Sequence, residues 1–243
     1  GNPQYYDGLY ALLGIIGYGM WLYADFSSGI DIVIGVSQMF GITLAENFNH
    51  PFEARSLGEF WRRWHMSLMQ WFREYIYFPV STSRLSRKVS GWMGRLLGKK
   101  KGSKFPAYIA TITIWLITGV WHGTGGRYIL WGLANGVIIL ISQEWTGCCR
   151  QKRRTLRFAD APWYRQAERV RTFLLFCILS SLQYFSLGTF LQTGKGIVTR
   201  FGVAALGDGR LAEAGLSWPD GMVLLFGFLL LWGTGVRQKK GSI

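Results

Sequence analysis

The sequence predicts an all-α fold, a polytopic bundle of transmembrane helices. Three observations carry that prediction: apolar stretches of near membrane-spanning length, strongly basic stretches between them, and an even number of apolar segments separating successive basic stretches. Across 243 residues the composition is 49% hydrophobic, 16% aromatic and 16% charged, with a mean hydropathy of +0.17. That average hides strong segregation. Most of the net charge of +14 sits in the basic stretches, and Lys and Arg accumulate in the cytoplasmic loops of membrane proteins. A basic chain can also bind nucleic acid, but these basic runs lie between hydrophobic segments and not on one face of a globular pattern, so nucleic acid is not an expected partner.

A helix needs about twenty apolar residues to cross a bilayer. Leu9–Tyr23 is the first stretch to approach that length. It runs into Ala24–Phe40, where Asp25, Ser27, Ser28 and Asp31 stud otherwise apolar sequence. Carboxylates at membrane depth face a bundle interior or a watery cavity, and Asp25 on that reading is a candidate substrate-binding residue. The same stretch reads equally well as an interfacial turn between two helices.

The loop Ala45–Arg55 carries Asn47, Phe48, Asn49 and Pro51, a pattern of a structured turn. Ser56 with Glu59 three residues on has the spacing of a capping box, which predicts a helix over Ser56–Pro79. Trp61, Trp64, His65, Leu68, Trp71, Phe72 and Tyr75 recur at intervals of three and four, giving one broad aromatic face. Such a helix suits an interface or a cavity wall, and Pro79 ends it.

Arg84–Lys104 reads as a loop with eight Lys or Arg and no acid. Phe105–Val120 and Tyr128–Trp145 form an apolar hairpin joined by Trp121-His122-Gly123-Thr124-Gly125-Gly126-Arg127. Arg150–Arg171 carries eight basic residues against two acids. Phe173–Leu191 and Gly221–Val236 make a second apolar pair before a tail with Arg237, Lys239 and Lys240. Because two apolar segments separate each basic stretch from the next, residues 84–104, 150–171 and 237–243 all fall on the cytoplasmic side of the cell membrane. The turn holding His122 then points away from the cytoplasm or stops inside the membrane, and Lys195–Pro219 is external. The expected organisation is one membrane-embedded domain over 1–243, with a motif-bearing core at 8–145 and less specific spans over 170–236. Gly1–Asp7 has no signal-peptide pattern.

Three histidines are available for proton transfer: His50, His65 and His122. Burial lowers the pKa of an imidazole and so supplies a neutral base near pH 7. His122 is distinguished by its setting, since Gly123, Gly125 and Gly126 let the backbone turn sharply and be approached closely. A polar break between apolar segments is tolerated at membrane depth only where it is buried in protein or lines a cavity. By the same standard His65, set among aromatics, reads as a packing residue. Cys148, Cys149 and Cys177 have no metal-ligand spacing, so no metal is expected, and the first two adjoin a basic stretch where palmitoylation is the alternative to a plain structural role. No GxSxG, P-loop or HExxH motif competes.

Taken together, YADFSSGIDIVIGVSQMFGITLAENFNHPF, EFWRRWHMSLMQWFREYIYFPV and TGVWHGTGGRYILWGLANG resemble the membrane-bound O-acyltransferase family, and within it the bacterial alginate and cell-wall polysaccharide O-acetyltransferases. The resemblance covers roughly Gly8–Trp145. It implies a ring of tilted helices around a funnel and tunnel, with further spans before Gly1. It implies His122, in the WHG motif, and His65, in FWRRWH, as active-site residues. Asn135 stands where many relatives have His, and STSRLSRK replaces a glycine-rich element. The implied reaction moves an acyl group, most simply acetyl, from a thioester donor, acetyl-CoA or an acyl carrier protein, to a hydroxyl of an extracytoplasmic glycan. No tightly bound cofactor is implied, and membrane lipid and envelope-acetylation proteins are expected partners. His122 would be the general base. His65 would orient it, orient the acceptor or stabilise the oxyanion, and Trp61, Trp64, Trp121 and Asn135 are candidate substrate contacts. A D-alanyl transferase fed by a carrier protein and acting on teichoic acid is the alternative within the family. A transporter or structural membrane subunit is the alternative outside it.

Overall fold

The computed structural model describes residues 8–155, 161–202, 219–223 and 226–227. Among these the regular structure is helical, with one isolated bridge and no strand, as an all-α fold requires. The chain divides into two compact units, Ile15–Phe190 and Gly1–Gly14 with Leu191–Ile243. The first holds the three histidines. In order the helices are α1 (Gly8–Met39), α2 (Leu57–Arg63), α3 (Met66–Phe72), α4 (Phe78–Ser81), α5 (Arg84–Leu97), α6 (Lys99–Gly102), α7 (Phe105–His122), α8 (Gly126–Thr155), α9 (Pro162–Tyr184) and α10 (Leu187–Thr199). A 3₁₀ turn at Pro51–Glu53 precedes α2, and a π turn at Arg73–Tyr77 joins α3 to α4.

Helix α1 runs unbroken through the polar-studded stretch, which removes the interfacial-turn reading of Ala24–Phe40. No proline interrupts it, and Ser28 Oγ donates to the Asp25 carbonyl at 3.1 Å, a bond made inside the helix. It ends where Gly41 takes φ 72°. There Ile42 N–H reaches the Ser37 carbonyl and Gly41 N–H the Gln38 carbonyl, both at 3.0 Å, the paired bonds of a Schellman stop.

The predicted helix Ser56–Pro79 is corrected in its middle. Ser56 does cap α2, its Oγ accepting Glu59 N–H at 3.2 Å, while Glu59 Oε2 accepts Arg55 N–H at 2.9 Å. After Arg63 the chain opens at Trp64 and His65 before helix resumes at Met66. Pro79 stands in the first turn of α4 and ends nothing. The predicted loop Arg84–Lys104 is also corrected: it is mostly helix, because Ser83 Oγ caps Ser86 N–H at 3.1 Å and no proline intervenes.

The predicted hairpin is present as α7 and α8, with α8 longer than expected. Small residues let the two backbones touch. A Cβ at Gly132 would collide with the Trp115 carbonyl, and one at Gly119 would lie 2.6 Å from the Tyr128 carbonyl. Close backbone approach of this kind is how helices associate in lipid, where apolar burial gives no advantage. Two described helices are long and apolar enough to cross a membrane, Gly8–Met39 and Lys99–His122. The predicted Phe173–Leu191 segment is split between α9 and α10 at Phe185–Ser186. Most of Gly221–Val236, the tail 237–243 and residues 203–218 of the predicted external stretch lie outside the described residues, as do the side chains of Cys148 and Cys149.

Replacing Gly132 by Ala should cost about 1–3 kcal/mol through overpacking. The unfolding temperature of the detergent-solubilised chain should drop by several degrees, whereas Gly35→Ala, with nothing within 4 Å of its Cβ position, should cause no loss. Equal stability of the two variants would refute the seam.

Candidate active site

The break between α2 and α3 is built by a second segment. Phe48 and Trp64 form an antiparallel bridge, Asn49 N–H donates to the Arg63 carbonyl at 3.0 Å, and Met66 N–H donates to the Asn47 carbonyl at 3.0 Å. These bonds hold His65 in the left-handed region, φ 47° and ψ 54°, a conformation that costs a non-glycine residue about 1–2 kcal/mol. His65 makes no capping bond to α3 with its own side chain. Asn47 does it instead, its Oδ1 accepting Ser67 N–H at 3.3 Å and Ser67 Oγ–H at 2.6 Å.

The same Oδ1 lies 2.9 Å from His65 Nδ1. A backbone N–H can only donate, so the Asn47 atom facing Ser67 N–H is the oxygen, and His65 Nδ1 must donate to it. The neutral imidazole therefore carries its proton on Nδ1 and leaves Nε2 as the basic nitrogen. Burial holds the His65 pKa below its ordinary value. The ring is half-buried and packs edge-to-face on Phe26 at 4.8 Å between centroids.

His122 is the last residue of α7. Its ring stands edge-on to Trp131 at 4.8 Å and to Trp121 at 4.9 Å, and it makes no side-chain hydrogen bond among the described residues. It lines a cavity of about 730 Å³ formed by the turn from His122 to Tyr128 with Leu130, Ser186 and Leu187. Arg127 is the one formally charged residue on that lining, its guanidinium 4.9 Å over the Tyr128 ring. The Tyr128 ring also covers Gly123, where a Cβ would lie 2.5 Å from it, so this turn requires glycine.

Trp61 and Trp64 do not line the cavity. They are buried in an aromatic cluster with Phe60, Trp115, Trp131 and Phe176, the rings of Phe60 and Phe176 being 4.4 Å apart. Trp61 Nε1–H donates to Asn135 Oδ1 at 3.1 Å, and Asn135 Nδ2–H donates to the Trp131 carbonyl at 2.9 Å. Asn135, fully buried, is thus a strut between α2 and the residue that backs His122. Trp121 is exposed beside His122. Asp25 is exposed on α1 and is not part of the lining, and His50 sits in the left-handed turn that starts the 3₁₀ element. Sequence reasoning missed Asn47 and Trp131. Trp131 is buried against His122 with its Nε1–H unpartnered among the described residues. Asn47 carried no signal, since it lies in the loop before the helix that the sequence predicts around His65, and helical periodicity says nothing of a contact eighteen residues away across that loop.

Glu59 steadies the same corner. Burial acts to raise its carboxyl pKa, but the Arg55 N–H bond, the Arg63 bond at 2.8 Å and the charges of Arg63 and Arg62 outweigh it and hold the pKa below the ordinary value. Arg55 in turn pairs with buried Glu168 of α9 at 2.7 Å.

Removing Asn47 should leave a half-buried imidazole N–H and a helix N-terminus unmet. Asn47→Ala is expected to lower stability by about 1–3 kcal/mol, measured as a drop in the detergent unfolding midpoint. The lowered pKa of His65 stabilises the fold fully above the unfolded value of about 6.5. That contribution is lost as pH falls from there towards the folded value, because the unfolded chain takes up the proton first. His65→Asn should therefore flatten the fall of the midpoint between about pH 7 and pH 5; an unchanged slope would show that His65 is not the titrating group.

Residues 7–93 match the model of the membrane-bound O-acyltransferase family. The chain is 38% identical over 142 residues, 58% of its length, to the "probable alginate O-acetylase" of Pseudomonas aeruginosa, covering 24% of that protein. It is 32% identical over 136 residues to the peptidoglycan O-acetyltransferase of Helicobacter pylori, 56% of this chain and 23% of the relative. To the teichoic acid D-alanyltransferase of Bacillus subtilis it is 37% identical over 131 residues, 53% of this chain and 30% of the relative. The matched parts thus span between 23% and 30% of these relatives' lengths. Over the matched residues the chain is thus similar to the membrane-bound O-acyltransferase family and, within it, to bacterial O-acetyltransferases.

Proposed function

We propose that the chain provides the active site of a cell-membrane acyltransferase that moves an acyl group, acetyl in the simplest case, from a thioester donor to a hydroxyl of an extracytoplasmic polysaccharide. The observation that carries this reading is His122 on the lining of a glycine-rich cavity, its ring backed by Trp131. The names of the relatives, which act on alginate, peptidoglycan and teichoic acid, support an envelope polymer as acceptor. Arg127, the sole charge on the lining, favours an acceptor bearing a negative group.

In the proposed step His122 takes the proton from the acceptor hydroxyl as its oxygen attacks the thioester carbonyl. The C–O bond forms, the C–S bond breaks, and the donor leaves as a thiolate that is then protonated. General-base assistance of this kind is worth about a hundred- to ten-thousand-fold in rate. Thiolate is a good leaving group, so no covalent enzyme intermediate is required. His65, its Nδ1 proton committed to Asn47, offers Nε2 as an acceptor for a second hydroxyl of the glycan, which orients the acceptor. The donor is acetyl-CoA or an acylated carrier protein, reaching the site from the side of the basic stretches, which we place in the cytoplasm. If the donor is a D-alanyl carrier protein, an acidic protein should co-purify with the chain.

His122→Ala in the full-length protein should abolish envelope O-acylation in cells at unchanged membrane levels, a loss of at least a hundredfold. His65→Ala should reduce it less. Normal acylation by the His122→Ala protein would end this mechanism.

A further inference from the structure

Helix α5 and its return through α6 have a surface that the acyl-transfer chemistry does not use. Leu85, Val89, Trp92 and Leu96 follow one another at four, three and four residues, so they form a single row along α5. Leu85, Trp92 and Leu96 are 67%, 55% and 60% exposed. One residue before three of these positions stand Arg84, Lys88 and Arg95, all exposed, which places a cationic row about 100° round the helix from the apolar one. The third face is closed. Ser86 Oγ donates to the Val80 carbonyl at 2.7 Å, Ser90 Oγ donates to the Gly102 carbonyl at 3.0 Å, and Gly102 lies directly against Gly94.

The cations continue as Lys99, Lys100 and Lys101 on α6, and the whole stretch 84–104 contains no Asp or Glu to neutralise them. Among the described residues Lys104 alone of the stretch makes an ion pair, with Glu144 at 2.5 Å. From there the chain passes directly into α7, part of one of the two helices long and apolar enough to cross a membrane. A helix tethered to the end of a span lies at the level of the lipid headgroups. A basic row beside an apolar row with a tryptophan in it is the pattern that seats a helix in that layer.

We propose that α5, with α6, is a binding site for anionic phospholipid: the apolar row enters the acyl boundary and the cations engage headgroup phosphates. The site is separate from the His122 cavity and does not depend on the proposed reaction. Each cation near an anionic surface contributes about 1 kcal/mol, about fivefold in affinity.

The test reconstitutes the full-length protein, with Cys148 and Cys149 replaced by Ser, into vesicles of phosphatidylcholine alone or with about a third phosphatidylglycerol. A nitroxide at Leu96→Cys reports immersion by its collision rates with oxygen and with a water-soluble nickel chelate. Retained lipids are counted by native mass spectrometry of the purified protein. The expected result is a label that favours oxygen over nickel in the mixed vesicles. Phosphatidylglycerol should be retained in preference to phosphatidylcholine, and Arg84→Gln, Lys88→Gln and Arg95→Gln together should cut that preference at least fivefold. The triple variant changes only exposed side chains, and the immersion measurement stands without it. A label equally open to nickel in both vesicles would overturn the proposal. So would a label already shielded from both reagents in detergent, which would mean that protein covers the face. Protection of the label by an acidic soluble carrier protein, with no lipid preference, would assign the surface to a protein partner instead.

Discussion

The acceptance of three donors by one side-chain oxygen organises the candidate site. Asn47 Oδ1 takes the N–H and hydroxyl of Ser67 and the Nδ1–H of His65, while the Asn47 carbonyl takes Met66 N–H. An α-helix leaves its first N–H groups unmet, and α3 has them met from a segment outside the helix. Without that segment an unbroken helix from α2 into α3 is the better local solution. With it, the chain tolerates a left-handed histidine whose tautomer and ring position are set by the same bonds.

A second set of contacts connects that corner to His122. Trp61 donates to Asn135, Asn135 to the Trp131 carbonyl, and the Trp131 ring backs the His122 imidazole. The members come from α2, α7 and α8, so their placement depends on how closely α7 and α8 approach. Gly119 and Gly132 set that distance by allowing backbone contact. Trp61 and Trp131 are buried and do not themselves line the cavity, which makes them supports for the histidines and not surfaces for substrate.

Charge is arranged with the same economy. Glu59 pairs with Arg63 and Glu168 with Arg55, and the cavity lining carries a single cation, Arg127, and no carboxylate. The long unpaired basic stretch lies elsewhere, on α5 and α6. The proposed acyl transfer and the proposed membrane-surface contact thus fall on different parts of one polypeptide.

Local chemistry along the chain encodes much of this architecture. Apolar runs and a glycine-rich turn announced the α7–α8 hairpin and put His122 at its bend, and Ser56 with Glu59 announced the start of α2. The family resemblance of the motifs implied His122 and His65 as site residues. The remaining features depend on partners distant in the chain. The break at His65 obeys no spacing rule, because Trp64 and His65 fit the helical period of their neighbours, and the bonds that open the chain there come from Asn47, Phe48 and Asn49. The charge content of the basic stretch points to loop, but Ser83 starts a helix there and the apolar residues recur at its period. Periodicity reports one helix's own faces; it is silent on which other segment will offer a carbonyl or an amide oxygen, and that contact decided the shape of this site.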